Sequence, residues 1–319
     1  MIGAFATAAL LVAAAGLPAH AAPSLVCEAQ WRDDTRDRIV PVRVRMPAGG
    51  AMLPVVLFSH GLGGTLDAGT DWAEAWSAAG IATIHLQHPG SDESIWKAQA
   101  GREAQLAGLQ SGASPKQSVA RVGDVRFALD ELGRRRNETL AGGCRLARLD
   151  RTRVGISGHS FGAVTTQAIA GQRFRGSPAG RDGRVMAAIA FSPSPAANVP
   201  DTDAFGAIAV PFLSITGTAD ATPLLQRTSP ADRVRPYAGM TPGDKYLLVL
   251  EGADHAIFNG HRLRRKAAPG DDHVRTTTAL ITTKFWQAYL LHDSGAASWL
   301  KSRQGAASAL LPADRFEFK

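Results

Sequence analysis

Short runs of mostly apolar residues recur along the chain, and each run ends in a stretch rich in Gly, Ser, Thr, Pro or His. These runs do not alternate apolar with polar residues, as a strand with one exposed face would. Unbroken apolar runs of this length are typical of strands covered on both faces, the situation in a parallel sheet. They predict strands at residues 55–58, 81–86, 153–157, 185–191, 211–215 and 246–250.

Between the runs lie segments whose apolar residues recur every three or four positions, the period of an amphipathic helix. They predict helices at residues 71–79, 119–132, 163–170 and 277–291. Strand alternating with helix predicts an α/β protein with a doubly wound, mostly parallel sheet.

The first part of the mature chain follows another pattern. Val40, Val42 and Val44 alternate with polar or Pro positions, and residues 33–35 form a predicted turn before them. An alternation of period two beside a turn indicates an antiparallel strand pair at the N-terminal end, over residues 27–46. No internal repeat or low-complexity linker follows, so we expect one domain over residues 22–319. Two polar stretches, residues 91–118 and 220–244, are candidates for mobile flaps.

The N-terminal residues resemble a secretory signal peptide. Residues 2–17 carry no charge and are rich in Ala and Leu, and Ala19 and Ala21 supply small residues for cleavage after position 21. The alternative is an uncleaved anchor, but the run is shorter than the roughly 20 residues that span a bilayer. We expect residues 1–21 to be removed, no stable membrane insertion, and a periplasmic or secreted protein.

The two cysteines, Cys27 and Cys144, both fall in the predicted mature chain. Paired cysteines are common in exported proteins, where the compartment is oxidising. We therefore expect a Cys27–Cys144 disulfide; the alternative is two free buried thiols.

The chain is basic, with a formal net charge of +7 and a pI near 9.8. This charge favours weak attraction to anionic surfaces or substrates. The densest basic runs, residues 134–136 and 262–266, lack interleaved aromatic residues. The pattern therefore does not indicate a nucleic-acid partner.

The sharpest chemical signal is the motif G-H-S-F-G at residues 158–162, placed between a predicted strand and a predicted helix. Glycines on both sides permit the sharp strand-to-helix turn that exposes a nucleophilic serine, here Ser160. A serine hydroxyl is a weak nucleophile at neutral pH and requires a neighbouring base.

A second glycine-rich motif, H-G-L-G-G at residues 60–64, directly follows a predicted strand. Such a loop lets backbone N–H groups approach a substrate oxygen. We expect the oxyanion-hole donors to be the N–H of Leu62 in this loop and the N–H of Phe161 after the serine. The alternative is a plain tight turn.

The acid and the base are expected to follow the serine in the order Asp, then His. Asp220 and His255 each come just after a predicted buried strand and are the best candidates. Other candidates for the acid are Asp201, Asp203, Asp232 and Asp254. His255 would take the proton of Ser160, and Asp220 would orient the imidazole.

The remaining histidines are assigned structural or surface roles. His85 and His88 resemble a metal pair, yet no Cys, Asp or Glu set lies near them in the sequence, so we predict no metal. His60 and His159 belong to the two motifs and are expected to shape their loops.

The two motifs, together with G-A-D-H at residues 252–255, resemble the platelet-activating-factor acetylhydrolase and dienelactone-hydrolase-like branch of the α/β-hydrolases. The resemblance covers residues 38–291. It implies the α/β-hydrolase fold and cleavage of carboxylic esters without a cofactor. Two positions differ: dienelactone hydrolases have Cys where this chain has Ser160, and the acetylhydrolases have their acid near the position of Ser192. Asp220, one strand later, matches the wider superfamily.

The sequence therefore predicts an exported serine esterase that acts through an acyl-enzyme on a small-molecule or lipid ester. An acyltransferase or a peptidase would use the same residues, and a non-catalytic binding protein on this scaffold is the remaining alternative. Trp96, Phe191 and Phe258 are candidates either for an apolar acyl site or for core packing.

Overall fold

The structure is a computed structural model. It describes residues 23–50, 52–97, 99–175, 180–222, 228–261, 267–302 and 304–319. The predicted signal peptide, residues 1–21, and the basic run 262–266 lie outside these described residues.

A nine-stranded sheet forms the framework of the described chain. Its strands are β1 (Ser24–Asp33), β2 (Arg38–Pro47), β3 (Leu53–Ser59), β4 (Ala82–Leu86), β5 (Leu149–His159), β6 (Val185–Phe191), β7 (Phe212–Ala219), β8 (Lys245–Asp254) and β9 (Arg315–Phe318). They lie side by side in the order β1-β2-β4-β3-β5-β6-β7-β8-β9. The six strands from β4 to β8 in this order are parallel, whereas β1, β2 and β9 pair antiparallel with their neighbours.

This strand order and these directions are those of the α/β-hydrolase fold. The predicted fold class is thereby confirmed, including the antiparallel strand pair at the N-terminal end. Because all six central strands are parallel, their carboxyl ends lie along one edge of the sheet, where ligands bind in open α/β sheets.

The helices are α1 (Thr70–Ala78), α2 (Ser94–Lys97), α3 (Arg102–Gly112), α4 (Pro115–Arg134), α5 (Phe161–Ala170), α6 (Asp201–Phe205), α7 (Pro230–Arg233), α8 (Arg235–Gly239), α9 (Asp271–Leu290) and α10 (Ser294–Leu300). The predicted helices correspond to α1, α4, α5 and α9. The sequence analysis identified neither β9 nor the short helices α2, α3, α6, α7, α8 and α10.

Both faces of the sheet are covered, as the unbroken apolar runs predict. Along β3, Val55 and Leu57 belong to one apolar cluster, while Val56 and Phe58 belong to another. The first cluster also contains apolar residues of α4 and α5, and the second contains those of α1 and α9. Successive side chains of a strand point to opposite faces, so a strand covered on both sides is apolar at every position.

Cys27 on β1 and Cys144 are joined by a disulfide bond, as expected from their number and place. Among the described residues, no helix is both long enough and apolar enough to cross a membrane.

Candidate active site

Ser160 occupies the sharp turn between the last residue of β5, His159, and the first residue of α5, Phe161. Its backbone has φ 56° and ψ −113°, a conformation that side-chain-bearing residues rarely adopt. The two flanking glycines permit this turn. A Cβ atom at Gly162 would collide with the carbonyl oxygen of Ser59, and one at Gly158 would collide with the carbonyl oxygen of Gly162.

The side chains of Ser160, His255 and Asp220 form one hydrogen-bonded chain. The Ser160 hydroxyl lies 2.9 Å from His255 Nε2, and His255 Nδ1 lies 2.7 Å from Asp220 Oδ1. Asp220 is the first residue after β7, and His255 is the first after β8, so the parallel strands bring their ends together. The structure therefore brings together the three residues that the sequence analysis selected as nucleophile, base and acid.

Asp220 is fully buried, and its second oxygen, Oδ2, accepts a hydrogen bond of 2.8 Å from Thr216 Oγ1. Burial alone would raise the pKa of Asp220. The hydrogen bond from His255 and the charge of Arg233 outweigh burial and hold the pKa of Asp220 below its ordinary value. Asp220 is thus a carboxylate at neutral pH.

The competing acids have other contacts. Asp201 pairs with Arg235, and Asp232 caps the N-terminus of α7 through Ser229. Asp254 accepts the backbone N–H of Ile257 at 2.9 Å.

His159 supports the segment that carries His255. Its Nε2–H donates to the carbonyl oxygen of His255 at 2.9 Å, and the centroids of the two rings lie 4.7 Å apart. Burial, followed by the nearby His255 ring, places the pKa of His159 well below its ordinary value. His159 is therefore neutral and donates only the one ring hydrogen that this contact requires.

The glycine loop lies directly against the serine. A Cβ atom at Gly61 would lie 3.4 Å from the Cβ atom of Ser160. In this loop Gly63 N–H donates to Ser91 O, and Gly64 N–H donates to Gly61 O. Within the described chain, no loop or turn hydrogen bond is donated by the N–H of Leu62 or of Phe161. Phe161 is the first residue of α5, so its N–H has no acceptor within the helix.

A fully buried network of polar side chains lies beneath the glycine loop. Ser59 Oγ donates to His88 Nε2 at 2.9 Å and accepts from Arg121 at 3.0 Å, while His88 Nδ1 donates to Asp124 at 3.0 Å. This second serine–histidine–aspartate arrangement has no solvent access, because all three side chains are at most 1% exposed. The Ser59 hydroxyl is hydrogen-bonded to both Arg121 and His88, so it is not available for nucleophilic attack. The arrangement instead supports the glycine loop.

Arg121 connects this network to the loop and to the helix that follows Ser160. It donates to the carbonyl oxygen of His60 and to Thr165 Oγ1 on α5, and its guanidinium lies 4.6 Å from the ring centroid of Phe161. Burial lowers the pKa of Arg121 to about 9, so the side chain remains charged at neutral pH. The sequence analysis missed this residue, because its place in the apolar stripe of α4 gave no chemical signal.

His60 and His88 hold each other in fixed positions. The backbone N–H of His88 donates to His60 Nε2 at 3.0 Å, and His60 Nδ1 lies 2.6 Å from the carbonyl oxygen of Gly61. Burial lowers the pKa of His88 to about 4 and that of His60 well below its ordinary value. His85 donates instead to the carbonyl oxygen of Ala68 at 2.9 Å.

Arg233, on α7, is a further buried arginine that the sequence analysis missed. Its Nε lies 3.3 Å from Asp220 Oδ1, and one terminal nitrogen lies 3.4 Å from His255 Nδ1. It also donates to the carbonyl oxygens of Ser192 and Pro193 at 3.0 and 3.1 Å. No periodicity or motif marks this position in the sequence, because α7 is only four residues long.

The stretch 91–118, a predicted flap, contains α2, α3 and the start of α4. It lies against the glycine loop, because Trp96 Nε1 donates to the carbonyl oxygen of Gly63 at 2.9 Å. Trp96 remains 37% exposed, whereas Phe191 and Phe258 are fully buried in the core. The second predicted flap contains α7 and α8, and its residues 223–227 lie outside the described chain.

A cavity of about 370 Å³ opens beside α5. Val164 faces it and is the only residue of α5 that is not buried. Val164 follows Ser160 by four residues, which corresponds to about 6 Å along the helix axis. The wall combines apolar residues with polar groups of Gln172, Arg173, Ser194 and Thr228. It comprises Val164, Gln172, Arg173, Phe174, Ser194, Pro195, Ala196, Ala197, Val199 and Thr228.

No protein-family model matches the chain, and no curated protein matches it. Among solved structures, the native structure of a cold-adapted esterase from an Arctic intertidal metagenomic library is similar, with a TM-score of 0.49 and 17% sequence identity. The match covers 83% of this chain and 94% of that chain. Both similarity values are low, so inference about function rests on the residues of this chain, and the predicted acetylhydrolase-like branch stays a prediction.

Proposed function

We propose that the protein is a serine hydrolase that cleaves carboxylic esters through an acyl-enzyme, with Ser160 as nucleophile, His255 as base and Asp220 as acid. The observation that carries this proposal is the continuous hydrogen-bonded chain from Asp220 through His255 to Ser160, with contacts of 2.7 and 2.9 Å. A nucleophile, a base within hydrogen-bond reach and a group that orients the base are what covalent hydrolysis requires.

In the first half-reaction, His255 Nε2 accepts the hydroxyl proton as Ser160 Oγ attacks the ester carbonyl carbon. Asp220 accepts the hydrogen bond from His255 Nδ1, which fixes the tautomer and stabilises the imidazolium that forms. His255 then returns the proton to the alkoxide leaving group, and the acyl group stays on Ser160. In the second half-reaction His255 deprotonates a water molecule, which attacks the acyl-enzyme.

The negative oxygen that develops at the carbonyl would be held by the N–H groups of Leu62 and Phe161. Three features support this assignment: the glycine loop lies against Ser160, neither N–H donates in a loop or turn of the described chain, and Phe161 begins a helix. The positive end of the helix dipole adds to the stabilisation of an anion there. Each such donor contributes roughly 3 kcal/mol to a transition state of this kind.

We assign the acyl group of the substrate to the cavity beside α5, since Val164 in its wall follows Ser160 by about one helical turn. Its apolar side chains would exclude water around an alkyl chain, and burial of each methylene contributes about 0.8 kcal/mol. An ester whose acyl group carries an alkyl chain is therefore the substrate class that we propose.

Export to the periplasm or the medium belongs to the same proposal. The Cys27–Cys144 disulfide supports it, since such bonds persist in oxidising compartments. The signal-peptide pattern at residues 1–21 gives the second support.

The test is hydrolysis of p-nitrophenyl acetate by the wild-type protein and by Ser160→Ala. We expect the substitution to lower kcat by at least about 10⁴-fold, because it removes the group that is acylated. Ser77→Ala, which removes a buried hydroxyl on α1 away from the site, serves as the matched control and should retain activity.

Hydrolysis by Ser160→Ala at the wild-type rate would contradict the proposal. Product analysis with added alcohols separates an esterase from an acyltransferase, because the acyltransferase forms the new ester in place of the free acid. Cleavage of added peptides would identify a peptidase.

A further inference from the structure

We propose that Arg233 is a positioning residue of this site: it fixes Asp220 in place, so that the carboxylate meets His255 in the orientation that the reaction requires. This inference rests on the proposed function, because it assigns a role within the same set of residues. It concerns a residue that touches no substrate and acts through Asp220 and His255.

The first support is the number of fixed partners. The Arg233 guanidinium donates to the carbonyl oxygens of Ser192 and Pro193, to Ser194 Oγ at 3.1 Å and to Thr222 Oγ1 at 3.1 Å. The side chain is 1% exposed. Arg233 therefore joins the segment that follows β6 to the segment that follows β7, which begins with Asp220.

The second support is the sharing of one carboxylate oxygen. Asp220 Oδ1 accepts from His255 Nδ1 at 2.7 Å and lies 3.3 Å from Arg233 Nε. The carboxylate oxygen that orients the imidazole is therefore also the one that Arg233 contacts. The guanidinium cannot lose its proton under ordinary conditions, so its influence on Asp220 is permanent.

The third support is the direct approach of Arg233 to the imidazole. An Arg233 terminal nitrogen lies 3.4 Å from His255 Nδ1. The guanidinium therefore packs against the carboxylate and the imidazole at the point where the two meet, and its removal would leave space beside both.

The other groups that face His255 are Ser160, Asp220 and His159, the last being neutral at working pH. Asp254 precedes His255 in the chain, and one of its carboxylate oxygens accepts the N–H of Ile257. Arg233 is thus the permanent cation among the described groups in direct contact with the imidazole and the buried carboxylate.

The experiment measures kcat and KM for p-nitrophenyl acetate in the wild-type protein, Arg233→Met, Arg233→Gln and Arg233→Lys. In the neutral variants we expect kcat to fall about 100-fold with KM changed less than about twofold, because a small displacement of the orienting group impairs the reaction and not substrate binding. Arg233→Lys should restore part of the loss and lower kcat only about tenfold, since an ammonium has three donors and no planar fork.

Arg153→Met is the matched control, because Arg153 also pairs with an aspartate, Asp150, but at the opposite end of β5. It should leave both kcat and KM unchanged. Arg233→Gln keeps a hydrogen-bond donor and is the second neutral variant, for use if Arg233→Met does not fold.

Wild-type kcat in a folded neutral variant would overturn the role of Arg233 in fixing Asp220. A lysine variant with wild-type kcat would overturn its positioning role. A wild-type protein without Ser160-dependent hydrolysis would overturn the proposed function itself, which is a different result from either of these.

Discussion

Ser160 combines a strained backbone with a partly exposed side chain whose hydroxyl contacts His255. A non-glycine residue with φ near 56° outside a regular left-handed turn costs about 1–3 kcal/mol, and surrounding contacts must hold it there. Those contacts are the close approach of Gly158 and Gly162 to the end of β3. The glycines are visible in the sequence, so this part of the site could be predicted. The same two glycines predict that Ser160 lies in a sharp turn.

The contacts beneath the glycine loop could not be predicted in the same way. Ser59, His88 and Asp124 come from three distant parts of the chain, and only the packing of β3, the end of β4 and α4 makes them neighbours. Sequence reasoning assigned His88 a structural role but could not name its partners. Long-range polar contacts leave no periodic pattern, and the same holds for Arg121 and Arg233.

This network leads to a prediction at residue scale. Ser59→Ala leaves Arg121 and His88 each without one buried partner, so the free energy of unfolding should fall by about 1–3 kcal/mol. The glycine loop then loses a support. Removal of an oxyanion-hole donor lowers kcat by about 10²–10³-fold, and displacement of a donor should lower it less. We therefore expect kcat of Ser59→Ala to fall about tenfold with little change in KM.

Steady-state kinetics and chemical denaturation of the same preparations check this expectation. Ser77→Ala is the control, because its hydroxyl contacts Ser24 far from the loop. Ser77→Ala should lower the free energy of unfolding by an amount similar to Ser59→Ala and leave kcat unchanged. Equal kcat in Ser59→Ala and the wild-type protein would contradict a supporting role for the network.

At the scale of elements, the apolar runs and helical stripes predicted the six parallel strands and the four helices that bury a broad apolar face. Element ends were less well predicted: β8, for example, extends to Asp254, four residues beyond the predicted end. The helices that the sequence did not reveal are short or weakly buried. In α3 only Gly112 is buried, so no apolar stripe is needed to form that helix. The edge strand β9 has four residues, two of them charged, and forms through pairing with β8.

The face of α5 that looks into the cavity provides a prediction at this scale. Val164→Trp would fill the space that we assign to the acyl chain. We expect kcat/KM for a p-nitrophenyl octanoate to fall at least about tenfold, while the value for the acetate changes by less than about twofold. Val119→Trp on α4 is the control, since Val119 is 70% exposed.

The measurement is a chain-length series of p-nitrophenyl esters, with a phospholipid and a polyester film alongside. A uniform loss for all chain lengths, or no loss at all, would contradict the assignment of the cavity to the acyl group.

At the scale of the whole molecule, buried neutral histidines set the response of the fold to acid. Burial lowers the pKa of His85 and of His88 to about 4, and that of His60 and His159 well below the ordinary value. The unfolded chain binds protons at these groups near pH 6.5, whereas the folded chain does not. Their stabilising contribution is therefore complete above about pH 6.5 and is lost as the pH falls from 6.5 towards 4.

We accordingly expect Tm to be clearly lower at pH 4.5 than at pH 7.5, as calorimetry would measure. His85→Met should reduce this difference, because His85 lies in the β-sheet core against Phe58 and takes no part in the proposed chemistry. A Tm that is equal at both pH values would contradict this account of the buried histidines.

The central claim is that Ser160 is the nucleophile, and a fluorophosphonate probe tests it most directly. The site predicts one covalent adduct per chain, located on Ser160 by peptide mass spectrometry, with labelling that is much slower in His255→Ala because the base is missing. An adduct on another residue, or no adduct on the folded wild-type protein, would contradict the claim.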